Sequence, residues 1–205
     1  MTNVVNLHGP RDRFAIARED IMPMADYMKV RAERRKALVS VKKPRRVPIG
    51  PYATFYFENY DTMWHQIHEM LYIEKGGEEQ IADELAAYNP LIPKGNELVA
   101  TLMFEIDDET LRKSMLGRLG GVEETIFIKF GDEEIIADAE DDVDRTTADG
   151  KASSVQFVHF RFSDVQIEKF KSGENDIMLG IKHENYPHMT LLQAATVASL
   201  VNDFS

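Results

Sequence analysis

Two stretches in the second half of the chain carry the same order of residue types 56 positions apart. This repeat limits the folds open to the sequence more than any other feature does. Leu98 to Ile106 reads as a strand, Asp107-Asp108-Glu109 as a helix start, and Leu111 to Leu119 as a helix. Val155 to Phe162, Ser163-Asp164 and Ile167 to Lys171 follow the same course. Phe104 falls on Phe160, Asp108 on Asp164, Leu111 on Ile167 and Lys113 on Lys169, and Gly117 and Gly173 close both helices. A strand follows each helix, Thr125 to Phe130 and Ile177 to Lys182. Two β-α-β units on one sheet are therefore expected. Strands and helices do not alternate strictly enough elsewhere for a doubly wound sheet. The expected class is α+β: a mixed or antiparallel sheet built from two β-α-β units, with packed helices and a helical N-terminal part.

The remaining elements follow from punctuation. Residues 1–18 lack periodicity and contain Gly9-Pro10, so a flexible arm is expected there. A single domain is expected over 19–205, helical with one strand over 19–93 and sheet-rich over 94–205. From about Asp26, Tyr27, Val30, Leu38 and Val41 make a helical stripe that Arg34 interrupts, and Pro44 stops the helix. Val47 to Gly50 reads as an extended turn between prolines, and Ala53 to Phe57 as an aromatic strand. A helix follows from Asn59 or Asp61 to about Lys75, ended by Gly76-Gly77. Glu78 to Tyr88 reads as a short acidic helix. Gly131-Asp132 signals a hairpin between the Thr125 strand and Glu134 to Ala137. Glu140 to Gly150 reads as an acidic loop, and Thr190 to Val201 as a closing helix.

Composition excludes several chemistries. The 205 residues contain no Cys, so disulfides, thiolate nucleophiles and thiolate metal ligation are ruled out. Any metal must sit on His, Asp or Glu. The first residues lack an apolar signal-peptide core and no apolar run is long enough to span a bilayer, so a cytoplasmic protein is expected. The net charge of −11 is uneven: 12 Lys/Arg stand against 5 Asp/Glu up to residue 50, and 12 against 30 beyond it. Lys29 to Arg46 holds nine Lys/Arg with only Glu33 opposing them. Such a cluster suits nucleic-acid phosphates, but a strongly acidic body repels a polyanion, so a helix lying on its own acidic remainder, or simply a solvated face, is the preferred reading.

Candidate chemistry is concentrated on the 61–75 helix. Met63, Trp64, Ile67, Met70 and Leu71 share its core face. Asp61, His65, His68, Glu69 and Tyr72 fall on the opposite side at i,i+3 and i,i+4 spacings, where side chains touch. A divalent transition metal wants imidazoles and carboxylates converging in this way, and His183 and His188 are candidate partners from the last strand. The order His-x-x-His-Glu matches no established metallohydrolase pattern. At the strand-to-helix junction, Glu58 and Asn59 sit where ligand groups are common, with Arg45 and Arg46 near enough to neutralise Glu58 or to bind an anion. Phosphate-cradling glycine loops, G-x-S-x-G and the EF-hand spacing are all missing from the chain.

Several segments together resemble an uncharacterised bacterial family, a domain of unknown function of about 200 residues. They are Arg18-Glu19-Asp20-Ile21, Arg45-Arg46-Val47 with Gly50-Pro51, Phe57-Glu58-Asn59 with Asp61-Thr62, and Gln66-Ile67 with Glu69-Met70. Ala87-Tyr88-Asn89-Pro90-Leu91-Ile92-Pro93, Glu97-Leu98 with Ala100-Thr101-Leu102, and His183 with Tyr186 complete the match. The resemblance implies a context, since such genes tend to neighbour those of rubrerythrin-like diiron proteins and iron–sulfur oxidoreductases. The family pattern carries Glu58, Asn59, Asp61, Gln66 and Glu69, but more often Tyr and Gln than His at positions 65 and 68. That departure counts against a shared His-based metal site.

Two functions are expected. The first is an accessory or binding protein of cytoplasmic redox or peroxide metabolism, with a polar pocket around Arg46, Glu58, Asn59, Asp61, Gln66 and Glu69. Its partner would be a rubrerythrin-like or iron–sulfur protein, with self-association as a further arrangement. The second is a metal-dependent enzyme holding a divalent ion on His65, His68 and Glu69, with His183 or His188.

Overall fold

The computed structural model describes residues 14–139 and 150–204. The expected acidic loop over 140–149 and residues 1–13 of the expected arm lie outside the described residues. The part of that arm nearest the domain is packed: Ile16 is buried, and its N–H and carbonyl both bond the Asn89 side chain.

The chain forms α1 (Met24–Lys42), β1 (Arg46–Ile49), β2 (Ala53–Phe57), α2 (Tyr60–Glu74), α3 (Gly77–Tyr88) and β3 (Glu97–Phe104). It continues through α4 (Glu109–Leu116), β4 (Ile126–Phe130), β5 (Glu133–Ile136), β6 (Asp138–Ala139) and β7 (Val155–Arg161). It ends with α5 (Asp164–Ser172), β8 (Ile177–Ile181), β9 (His188–Leu191) and α6 (Ala194–Leu200). Local chemistry sets the helix starts. Asn59 and Thr62 close a reciprocal capping box on α2, Ser163 and Gln166 do so on α5, and Asp108 caps α4. Among the described residues no helix is long and apolar enough to cross a membrane.

The class is α+β, with two antiparallel sheets where one sheet was expected. The first runs β1-β2-β3-β7-β6 and the second β5-β4-β8-β9. Both repeat units are present, but each crosses from one sheet to the other. β3 pairs antiparallel with β7 around Thr101 and Phe157, and β4 pairs antiparallel with β8. The repeat thus builds a two-fold-like pairing of units, which sequence periodicity does not distinguish from two units laid side by side. Val47 to Gly50 is strand β1 with its turn, not an extended link, and pairs with β2 from Arg46↔Tyr56 to Ile49↔Ala53. The expected closing helix begins only at Ala194, because His188–Leu191 pairs with β8.

The two sheets pack face to face. Phe55, Phe57, Leu98, Ala100, Leu102, Val158 and Phe160 face Ile126, Ile128, Phe130, Leu179 and Ile181 across one core. β3 alternates into a second core, where Val99 packs with Met63, Trp64, Ile67 and Leu71 of α2 and with Tyr27 of α1. β5 runs directly into β6 and so joins the sheets along one side. Along the other side β1 and β9 approach each other without pairing. Tyr186 ties that seam: its hydroxyl donates to the Ile49 carbonyl (2.8 Å) and accepts from the N–H groups of Tyr52 and Ala53 (2.9 Å each). Gly50 (φ +61°) lies under His188, and a Cβ there would come within 2.5 Å of the imidazole.

Replacing Tyr186 by Phe keeps the ring and takes the hydroxyl partner from three backbone groups, two of them buried. A loss of about 2–3 kcal/mol is expected in urea unfolding, at unchanged m-value. A loss below about 0.5 kcal/mol would show that the seam does not depend on this hydroxyl.

Candidate functional site

The polar side of α2 is half-buried beneath α1, with His68 buried and Asp61, His65, Glu69 and Tyr72 partly exposed. His68 is 0% exposed. Its ring stacks on Trp64 at 3.6 Å, its Nδ1 bonds the Trp64 carbonyl (2.7 Å), and its Nε2 accepts the Met22 N–H (3.0 Å). The acceptor role of Nε2 places the proton on Nδ1, giving a neutral imidazole with both nitrogens engaged.

Tyr27, fully buried, is the hub of the cluster. Its hydroxyl donates to Glu69 Oε1 (2.7 Å) and lies 3.3 Å from His65 Nδ1. Arg31 grips both Glu69 oxygens, Nε to Oε1 and Nη2 to Oε2, each at 2.7 Å. The Arg31 fork holds the Glu69 carboxyl down at about 2 against the opposing effect of burial, and the Tyr27 hydroxyl adds to it. Burial, reinforced by the Glu69 carboxylate, pushes the Tyr27 phenol up. Burial pushes His65 down, outweighing Glu69, so His65 is neutral at pH 7. Arg34, which breaks the apolar stripe of α1, lies 4.3 Å over the Trp64 ring, and Arg31 lies 4.2 Å over Tyr72.

The other expected ligand groups do not converge here. Asn59 is spent on the α2 cap. Glu58 is buried and accepts the Thr101 hydroxyl (2.8 Å). Neither neighbouring arginine forms an ion pair with its carboxylate. Arg45, 2% exposed, donates to the Phe57 and Glu58 carbonyls and pairs with Asp203. Arg46 turns to Tyr56 (3.1 Å) and Glu105 (3.3 Å). Asp61 lies near enough to Arg34 to favour the guanidinium charge, and the Gln66 amide approaches the Tyr88 hydroxyl at 3.5 Å. His183 lies in the loop after β8 and His188 opens β9 of the second sheet. His183 lies 3.3 Å from the Gly120 carbonyl and accepts the Asn185 N–H, while His188 packs on Tyr186.

As a donor set for a divalent ion, His65, His68 and Glu69 lack converging, unengaged lone pairs. Among the described residues no group of three or more His, Asp or Glu is placed to hold a metal.

A different locus brings polar groups together. At the seam between β1 and β9, Arg46 shares a cleft with Lys43, Thr190, Gln193 and Thr196. Sequence reasoning picks out Arg46 and places Lys43 in the basic segment but passes over Thr190, Gln193 and Thr196, because 190–201 reads as one helix. The adjacent Lys42-Lys43-Pro44-Arg45-Arg46 run is the only local signal. Periodicity also misses the buried pair of Glu97 and His159, joined at 3.0 Å across β3 and β7.

Comparison with known proteins agrees with this lack of an assigned chemistry. Residues 15–204 match a family profile described as "Protein of unknown function (DUF3501)". A crystal structure of a novel protein of unknown function from Burkholderia pseudomallei K96243 is similar, with a TM-score of 0.86 at 36% identity. The alignment covers 93% of this chain and 100% of that one. No curated protein matches the chain.

Glu69 yields a pH test. Its carboxyl is lower in the folded state than the ordinary 4.5, so its contribution is present above that value. It is lost as pH falls toward about 2. Glu69→Gln is expected to lower stability at pH 7 by about 1–2 kcal/mol, after discounting for solvent at Arg31, and to flatten the acid limb between those values. An unchanged acid limb would show that the Arg31–Glu69 pair contributes no proton-linked stability.

Proposed function

The chain belongs to the DUF3501 family, whose function is not established, and we propose that it is an accessory binding protein that docks an acidic partner on the outward face of α1. One observation carries this reading. The stripe Tyr27, Arg31, Arg34 and Leu38 of α1 turns inward, while the stripe one residue further on, Met28, Ala32, Arg35 and Val39, is exposed. Met28 is 58% and Val39 64% exposed, three turns or about 16 Å apart. Exposed Arg35 and Lys36 lie between them.

Apolar anchors bracketed by cations suit a helix-face contact with an acidic protein surface. Nucleic acid suits this face less well, because the rest of the chain carries 30 Asp/Glu against 12 Lys/Arg. The acid/base groups that would argue for an enzyme are committed to the Tyr27 cluster. The resemblance to proteins encoded beside diiron and iron–sulfur genes supports a redox partner, with the cytoplasm as the setting.

The test is a titration of the purified protein against a rubrerythrin-like protein and an iron–sulfur oxidoreductase from the same source. A complex that weakens with salt, and about tenfold or more in Arg35→Glu/Lys36→Glu, is expected. Both side chains are exposed, so the double variant is expected to fold as the parent does. No complex with either protein, or one indifferent to charge reversal, would overturn the reading. A stoichiometric transition metal lost in His65→Ala would do the same in favour of an enzyme.

A further inference from the structure

The seam between β1 and β9 is not closed along its length. It is tight where Gly50 lies under His188 and Tyr186 ties the strands, and it opens at the Arg46 and Leu191 end into a cleft of about 420 Å³. That volume falls in the range of small-molecule sites. We propose that this cleft binds a small organic phosphate, a function separate from protein docking on α1.

The charged residues lining the cleft are Lys43 and Arg46, and no carboxylate lines it. Arg46 is paired with Glu105, so Lys43 supplies the positive charge that is unpaired among the described residues, and anions concentrate where such a charge meets a concave wall. The polar side chains there are uncommitted. Lys43, Thr190, Gln193 and Thr196 line the cleft, and their side chains make no hydrogen bond or ion pair among the described residues. Thr196 is only 6% exposed, and its hydroxyl has no partner among the described residues, which leaves it available to a ligand in the cleft. Arg46 uses Nε on Tyr56 and pairs Nη2 with the Glu105 carboxylate, which hold the guanidinium at the cleft and leave Nη1 without a partner among the described residues, on a half-exposed side chain. The contrast with the Tyr27 cluster, where the corresponding groups are spent on each other, is what singles out the seam.

The donor set fits a phosphate better than a carboxylate. An ammonium, a guanidinium, two hydroxyls and an amide approach from both walls, and a phosphate offers three oxygens in different directions, whereas a carboxylate accepts in one plane. Pro48 and Leu191 supply apolar wall, so the ligand has a carbon body as well as its anionic head. The site is supported from behind. Arg45, buried beside the cleft's Pro44 and Arg46, ties the end of α1 to the Phe57 and Glu58 carbonyls and, through Ser199 and Asp203, to α6 and the turn after it. Both walls therefore keep their spacing without a ligand.

Calorimetric titration at low salt with phenyl phosphate, inorganic phosphate and benzoate tests this. One phenyl phosphate per chain is expected, bound about tenfold or more tighter than benzoate and tighter than inorganic phosphate. Lys43→Glu, at an exposed position, is expected to weaken it by about tenfold or more, and Thr196→Val by several-fold with recovery in Thr196→Ser. Arg35→Glu/Lys36→Glu is expected to leave it unchanged, which separates this site from the docking face. No binding of phenyl phosphate, equal binding of benzoate, or full affinity in Lys43→Glu would overturn the proposal.

Discussion

Strand β3 is buried on both faces, and the rest of the molecule follows from covering it. Its even side, Leu98, Ala100, Leu102 and Phe104, meets the second sheet, while Val99 on its odd side meets α2. A strand of this kind needs apolar partners above and below, since a half-exposed Val/Leu/Phe face loses roughly 25 cal/mol for each Å² returned to water. The second sheet supplies one cover. The other comes from α2, which cannot present apolar residues around its whole circumference, and α1 then closes over the side left polar. Tyr27 is the residue that makes this closure work. Its ring packs on Trp64 and His68, and its hydroxyl reaches Glu69.

That arrangement reassigns the residues with the most chemical promise. A helix carrying Asp61, His65, His68 and Glu69 on one side has the spacing of a site. Here the same spacing builds a half-buried polar layer in which His68 and Glu69 are fully hydrogen-bonded. Glu69 is ionised and clamped by Arg31, and His68 is neutral with both nitrogens engaged. A ligating group needs an unspent lone pair, and both nitrogens of His68 and both oxygens of Glu69 are already engaged. The uncommitted donors lie instead at the β1–β9 seam, where the sandwich stays open because Tyr186 and Gly50 close only one end of it.

The charge asymmetry is divided in the same way. Part of the basic segment from Lys29 to Arg46 is internal: Arg31, Arg34 and Arg45 bond or stack within the fold, as a helix lying on its own acidic remainder should. The rest, with Arg35, Lys36 and Lys43, faces outward beside Met28 and Val39. One segment thus does both structural and surface work. The one-residue offset between the inward and outward stripes decides which arginine does which.

The helices α1 to α5, the α2 and α5 caps and the β4–β5 hairpin were legible in the sequence, because each rests on contacts between residues close along the chain, and the 56-residue repeat was legible in the order of residue types. Single residues could also be read, Asn59 as a cap and Pro44 as a stop, since their backbone chemistry leaves few alternatives. What only the tertiary structure decided is where the pieces face. Periodicity showed that α2 has a polar side but not that α1 would cover it, and it showed two repeated units but not that their strands would be shared between two sheets. Residues 190–201 misread as one helix for the same reason. His188–Leu191 is a strand because β8 offers it a ladder, and that pairing, long-range and made through the backbone, leaves no mark in local side-chain order.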